Sequence, residues 1–421
     1  MMNKILCDNF DVAVIGGGPA GLMAAITAAG TGASVVLLEK NGDLGRKLLL
    51  TGNGRCNITN AENDLHTLIS IFGEKGAFLF SGLSEFGPDD TMRYFHSLGL
   101  RTKTERGKRV FPVSEKSQDV LSCLLKKARE TGVFIIRDTE VLRVTRKEHR
   151  KHTVITRNGE ISCSRVIICT GGKSYPQTGS TGDGYRLAKG LGHTITELVP
   201  SIVPIKVKEK WVKDLMGLTL KNCTLTSYLD GKKMDHRFGE MLFTHFGISG
   251  PIVMDMSNHI IEMMEQGDVT VKVDMKPALQ EDTLDRRLQR DLEAHKGRSI
   301  HNALRDLLPS SMIPVILAVI GIPPAKKADH LLKSERKSIV HIIKGLELTV
   351  SGSLGFRWAI VTKGGVDLKE VDPRTMRSKL VDTLYFAGEI LDLDGPTGGF
   401  NLQICWTTGY LAGLNAGSAK V

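Results

Sequence analysis

The sequence predicts an α/β protein built on a Rossmann-like dinucleotide-binding domain that is discontinuous in the chain and holds an inserted second domain. Three observations lead there. An apolar run at residues 11–15 enters Gly16-Gly17-Gly18-Pro19-Ala20-Gly21, and a second run, 35–38, ends on Glu39. From about Pro200 the texture changes to Val-, Thr- and Lys-rich stretches, then over 277–344 to helical periodicity punctuated by Pro309, Pro314, Pro323 and Pro324. A strand-like 384–386 and a glycine-rich 395–401 then restore the first texture near the C-terminus. The expected domains are 1–198 with 355–421, an inserted β unit at 199–276 with 336–354, and a helical part at 277–335.

The first unit reads as strand, glycine turn, helix and parallel strand. Gly16 permits the tight turn, Gly18 lets backbone approach a pyrophosphate, and Gly21 lets the helix pack against the strand. The phosphates would then meet unpaired N–H groups at the helix N-terminus. Glu39 stands where an acid accepts hydrogen bonds from a ribose and repels a 2′-phosphate, which implies FAD or NAD rather than NADP.

Composition sets the class. The 421 residues can hold two or three domains, and 41% hydrophobic with 24% charged residues is ordinary for a globular protein. No apolar h-region opens the chain, and the best apolar run, 315–322, is too short to span a bilayer, so a cytoplasmic protein without membrane association is expected. Seven cysteines form no CxxC and no His/Cys cluster at metal-ligand spacing, so neither a metal site nor a redox dithiol is expected. The +10 formal charge admits an anionic partner. The basic residues are scattered, however, with their densest stretches at 143–151, 206–213 and 286–298, and only 5% of residues are aromatic, so nucleic-acid binding is not favoured.

Along the chain, 44–60 (LGRKLLLTGNGRCNITN) is too glycine-rich for a plain helix and reads as a clamp of backbone N–H groups, Arg and Lys on phosphate and an electron-rich ring. Helices are expected over 88–99 and 117–132, and a strand over 133–136. A hairpin follows from 140–142, turning near Asn158-Gly159 and returning through 165–169 into Thr170-Gly171-Gly172 beside the cofactor. In the insertion, 203–207, 218–228 and 269–273 read as strands, with Asp230-Gly231 as a two-residue turn. The last helix, 402–416, follows four glycines and could aim its N-terminal dipole at the far end of the cofactor, with Ile404, Thr408, Leu411 and Ala412 against a sheet.

Taken together, GGGPAG, TGNGRCN, TGGKSYPQTGSTGDG, FTHFGISGP and YFAGEILDLDGPTGGFN resemble the BaiN-like (YhiN-type) family of FAD-binding flavoproteins, from residue 11 to the C-terminal helix. The resemblance implies a two-part FAD domain with an inserted β-barrel-like unit and a helical cap. It implies cofactor contacts at Gly16, Gly18, Gly21, Glu39, Arg46, Lys47, Asn53, Arg55, Cys56, Asn57, Gly171, Gly172, Gly388, Glu389 and Asn401. Ala20, Lys40, Gly54, Val141, Thr170, Gly399 and Phe400 complete the candidate set; Phe400 stands where the family frequently has tyrosine. The implied activity is FAD-dependent oxidoreduction. Reduction of ring-conjugated enones and oxidation of small amino ketones by oxygen are both represented in the family, and no motif here selects between them.

One complete GxGxxG leaves no second standing nucleotide site, so NAD(P)H would be a transient co-substrate. The expected function is hydride transfer between flavin and a small organic substrate; the alternatives are an amino-ketone oxidase and an RNA-associated flavoprotein factor. Polar groups able to reach substrate are Tyr175, Thr178, His245 and Ser249. His245 has the proton chemistry of a donor, although a histidine flanked by Leu242, Phe243 and Phe246 more often sits in a core. Tyr175 could anchor substrate or cap its loop, and Arg55 could lower the thiol pKa of Cys56. The insertion is expected to leave and rejoin the sheet at its cofactor edge and to shield the flavin.

Overall fold

The computed structural model describes residues 9–146 and 151–418; Cys7 and part of the basic stretch 143–151 lie outside the described residues. Two compact units emerge, one running to Ser201 and resuming at Ala359, the other comprising Ile202–Trp358.

The first unit is organised by a seven-stranded sheet. Strands β1 (Asn9–Ile15), β2 (Val35–Leu38), β3 (Phe134–Ile136), β4 (Val141–Arg146), β5 (His152–Thr156) and β6 (Gly159–Ile168) lie in the order β3-β2-β1-β6-β5-β4. Leu384–Phe386 adds to β6 in parallel beside Val166, Ile167 and Ile168. β1, β2, β3 and β6 are mutually parallel, and the VAVI and VVLL runs are buried throughout, as a sheet covered on both faces requires. The expected single hairpin is instead a meander: β4 pairs antiparallel with β5 and β5 with β6, so the chain turns twice before Thr170.

Helix α1 (Pro19–Gly30) starts with Pro in its first turn and is almost wholly buried, which explains its run of small residues. One neighbour is the sheet; the other is the C-terminal helix α4 (Phe400–Ser418), whose glycines lie directly on α1. A Cβ on Gly413 would come within 2.4 Å of the Ala24 carbonyl oxygen, and one on Gly409 within 2.6 Å of that of Ala20. The face of α4 expected to meet a sheet therefore works alongside a second face of glycines that meets a helix.

The second unit is a barrel closed by six strands in the order Ile205–Val207, Gly247–Ser249, Lys232–Thr244, Thr219–Leu229, Val269–Asp274 and Leu346–Ser353. Asp230-Gly231 makes the expected two-residue turn. A helix not expected from the sequence, Pro251–Met264, packs on the barrel strands through Ile252, Val253, Met256 and Ile260. Glu281–Ala294 and Lys333–Lys344 pack together through Leu284, Leu288, Ile339 and Ile343, pinned by Arg336 and Asp285 at 2.7 Å. Among the described residues no helix is long and apolar enough to cross a membrane.

Candidate active site

The parallel strands of the first unit all end at one edge. Gly16 N–H donates to Leu38 O (2.8 Å), Cys169 N–H to Ile15 O (2.8 Å) and Ala387 N–H to Ile168 O (3.1 Å), so the segments after β1, β2, β6 and Leu384–Phe386 are laced together there. They line a cleft with about 1290 Å³ of empty space, its open mouth included. Gly16, Gly18, Ala20, Glu39, Lys40, Val141, Thr170 and Gly171 are on its walls.

The glycine turn has the geometry its spacing implies. Gly16 sits at φ +105°, in a region that disfavours side chains, and a Cβ on Gly21 would fall 1.8 Å from Gly16 O, so the helix can lie on the strand only with glycine there. Around Gly18, by contrast, nothing lies within 4 Å of the Cβ position. Backbone is thus bared to the cleft at the start of α1, where positive partial charge favours an anion. Thr170 Oγ1, also on the wall, is buried with no hydrogen-bond partner in the protein. An open cradle at a helix N-terminus and an unmet hydroxyl fit a phosphate-bearing dinucleotide.

Glu39, buried at the end of β2, organises one end. Its Oε2 accepts from Gly17 N–H (2.8 Å) and its Oε1 from the backbone N–H and Nδ2 of Asn41 (2.9 and 2.7 Å). The acid therefore holds the glycine turn closed from across the cleft. Lys40 binds Thr181 Oγ1 (2.6 Å) and pairs with Asp183 at the start of helix α3 (Asp183–Gly190). Arg46 also lines the cleft, donating Nη1 to Asn41 Oδ1 (3.1 Å) while the rest of its guanidinium stays exposed.

Glu389 is the hub of the other end. Lys47 Nζ bridges Glu389 Oε2 (2.7 Å) and Ser174 Oγ (2.8 Å), while Glu389 Oε1 accepts from Ser174 Oγ (2.8 Å) and Thr362 N–H (2.9 Å). Gly172 is required there because a Cβ would meet Thr362 Oγ1 and Glu389 Oε1 at 2.4 and 2.6 Å. Asn401 closes the 395–401 loop, accepting from Gly395 N–H (3.0 Å) and donating to Gly395 O (2.7 Å). Gly399 lies against the Thr59 backbone, Phe400 packs edge-on to Phe72 and Gly388 against Ala20; these three support the wall from behind.

Residues 10–415 match the family described as HI0933-like protein Rossmann domain. The chain belongs to this family. Within reach of it are a 3-dehydro-bile acid delta(4,6)-reductase of Clostridium scindens, 35% identical over 96% of this chain and 98% of that one, and a ribosomal RNA dihydrouridine synthase of Haemophilus influenzae, 30% identical over 96% and 97%. Among solved structures, a 3-ketosteroid delta1-dehydrogenase from Sterolibacterium denitrificans shares the fold at TM-score 0.54 and 13% identity, covering 98% of this chain and all of that one. The match agrees with the resemblance carried by the sequence motifs.

Several residues of this HI0933-like chain lie elsewhere than their motifs suggested. The stretch 44–60 contains a short helix, α2 (Arg46–Leu50), before the TGNG turn. Asn53 and Gly54 are exposed at that turn, and neither they nor Arg55, Cys56 and Asn57 line the cleft. Arg55 is committed to Glu105 (2.5 Å) and Glu115 (3.2 Å) and stacks on Phe111 at 4.1 Å. The expectation that Arg55 lowers the Cys56 pKa is overturned: the thiol is fully buried and pushed up to about 12 by loss of solvation, which makes it inert. His245 is no core histidine; it is exposed on the turn between Lys232–Thr244 and Gly247–Ser249, edge-on to Phe246 at 4.9 Å. Tyr175 is half-buried at φ +50° on the loop whose Thr178, Gly179 and Ser180 line the cleft. Ser249 belongs to the barrel unit. Asn41, Asp183, Cys169 and Cys405 also line the cleft. Asn41 and Asp183 were findable as polar neighbours of Glu39 and of the TGSTGDG loop; nothing in the local sequence marks the two cysteines.

Proposed function

We propose that this chain, an FAD-dependent oxidoreductase, reduces a carbon–carbon double bond conjugated to a ring carbonyl, with NAD(P)H as transient donor. The observation that carries it is the cleft at the C-terminal strand edge, walled by the Gly16–Gly18 turn and Glu39 at one end and by Glu389 and Asn401 at the other. It supports one extended dinucleotide that bears its own redox ring. FAD, when bound, supplies a two-electron hydride carrier. The chain's part is to hold it: the bared backbone at Gly18 and Thr170 Oγ1 for the phosphates, Glu39 for the ribose, and Lys47 with Glu389 beside the remaining wall.

Both relatives' names denote the same bond change, since a Δ4,6 3-oxo steroid skeleton and a uracil ring each present C=C conjugated to C=O. The balanced step delivers hydride to the β-carbon and a proton to the α-carbon, with NAD(P)H oxidised to NAD(P)⁺. Of the two catalytic candidates we retain Tyr175 as proton donor: it is not itself on the cleft wall, but its loop supplies Thr178, Gly179 and Ser180 to that wall, whereas His245 belongs to the barrel unit. A small-molecule enone is the primary reading. Uracil within RNA is the second, favoured by the exposed Arg101, Arg106 and Arg109 around the hairpin Thr102–Glu105 to Arg109–Pro112, where Lys108 is paired with Glu62 at 2.7 Å.

The test is anaerobic bleaching of the yellow protein by NADH or NADPH, followed by reoxidation with a 3-oxo-Δ4 steroid acid, its saturated ketone, or ribosomal RNA. The expected result is reoxidation by the enone about a hundredfold faster than by the saturated ketone, a gap of about 2.7 kcal/mol in barrier. Reoxidation by RNA alone would establish the second reading, and reoxidation by oxygen alone would overturn both.

A further inference from the structure

The barrel strand Lys232–Thr244 is paired on its inner side with Thr219–Leu229, but on its outer side only its last three residues, 242–244, meet Gly247–Ser249. Among the described residues nothing pairs with the outer edge of 232–240. The backbone N–H of His236 donates instead to Oδ1 of the adjacent Asp235 (2.7 Å). Phe238 and Met234 are 58% and 40% exposed. An open edge with exposed apolar side chains is a template for another strand.

We propose that this edge pairs with the same edge of a second copy, giving a two-fold dimer centred on His236. The segment reads Lys232-Lys233-Met234-Asp235-His236-Arg237-Phe238-Gly239-Glu240. Laid antiparallel on itself about His236, it places Lys232 opposite Glu240, Met234 opposite Phe238 and Asp235 opposite Arg237, each pair occurring twice by symmetry. A two-fold interface demands such self-complementarity. Sliding one strand by two residues destroys the match. In one direction Asp235 faces its own copy and Lys233 faces Arg237; in the other, Arg237 faces its own copy. Like charges directly opposite disfavour a register as opposite charges favour it, so the pattern selects one alignment.

Two features of the edge are shared with strands that avoid partners: the lysines and the bulge that leaves Met234 unmatched opposite Ser227 and Tyr228. Beyond the bulge the alternation shifts by one residue, so the two lysines flank the paired core 235–237 rather than belong to it, and Gly239 and Glu240 opposite them present no like charge. The lysines therefore exclude misaligned partners without excluding this one. Asp235 and Arg237 of one chain lie 3.4 Å apart and would exchange that contact for the cross-strand one. A single short edge buries little area, so the dimer belongs to the micromolar, concentration-dependent class.

Sedimentation equilibrium of the full chain across the micromolar range should show a reversible monomer–dimer equilibrium. Asp235→Arg alone, or Arg237→Asp alone, puts like charges opposite at both symmetric positions and should weaken self-association about tenfold or more. The double variant Asp235→Arg/Arg237→Asp restores both pairs and should restore the dimer. The two single variants, each failing alone, should pair with each other when mixed. Arg237 is exposed and Asp235 half-buried, so folding of each variant is checked by circular dichroism. A monomer at every concentration, or a dimer indifferent to these reversals, would overturn the proposal; capture of a different protein without self-association would do so too.

Discussion

Glu39 is already engaged before any ligand arrives. Its carboxylate holds Gly17 N–H and Asn41, so a ribose bound there would use its remaining acceptor capacity while the turn stays fixed. Glu39→Ala should therefore act twice, removing the ribose acceptor and releasing the turn that positions the phosphates. The expected loss is about 1–3 kcal/mol of FAD affinity, roughly 5- to 150-fold, read by titrating apoprotein with FAD. Undiminished affinity would remove Glu39 from the site. This residue was legible because its role follows from spacing along one β-α-β unit. Cys56 and Arg55 were not, because adjacency in sequence says nothing of direction: one side chain turns into the core, the other out to Glu105 and Phe111. His245 failed in the same way, its apolar neighbours in sequence pointing elsewhere at a tight turn.

At the scale of elements, the close approach of α1 and α4 tightly constrains the first unit. In an isolated helix alanine would outrank glycine by about 1 kcal/mol. Here a Cβ at 413 lies 2.4 Å from a carbonyl oxygen and 2.9 Å from Thr27 Cβ, neither of which a rotamer change can relieve. Gly413→Ala should thus be destabilising by about 1–3 kcal/mol despite the better propensity, and should loosen FAD because α1 begins at the phosphate cradle. Thermal unfolding with and without FAD measures both; a rise in stability would show that the helices can part freely. The existence of both helices was readable from glycine placement and apolar runs. That glycines 409 and 413 serve a helix rather than a turn was not, since glycine advertises absence of a side chain without saying what takes the space. Pro251–Met264 was missed although Ile252, Val253, Met256, Ile260 and Met263 recur at helical spacing: set between strand-like stretches, the segment was absorbed into the β texture around it.

For the whole molecule, the two units have separate hydrophobic cores, and every residue lining the cofactor cleft belongs to the unit formed by the two ends of the chain. Ligand binding stabilises only what it binds, by about 2.7 kcal/mol at a hundred times Kd. Calorimetry should accordingly resolve two transitions, with added FAD raising one and leaving the other in place. Equal movement of both would mean that the units unfold as one.

The parallel strand Leu384–Phe386 completes the sheet against the edge of β6 at Val166–Ile168. A ribosome making roughly 5–20 residues per second reaches that strand only after some tens of seconds. From the completion of β6 until then, the nascent chain has its phosphate cradle but not the wall of Glu389 and Asn401, and the β6 edge at Val166–Ile168 is bare. Cofactor capture is thereby timed to the last stretch of translation, and the period of greatest exposure to mispairing falls before it.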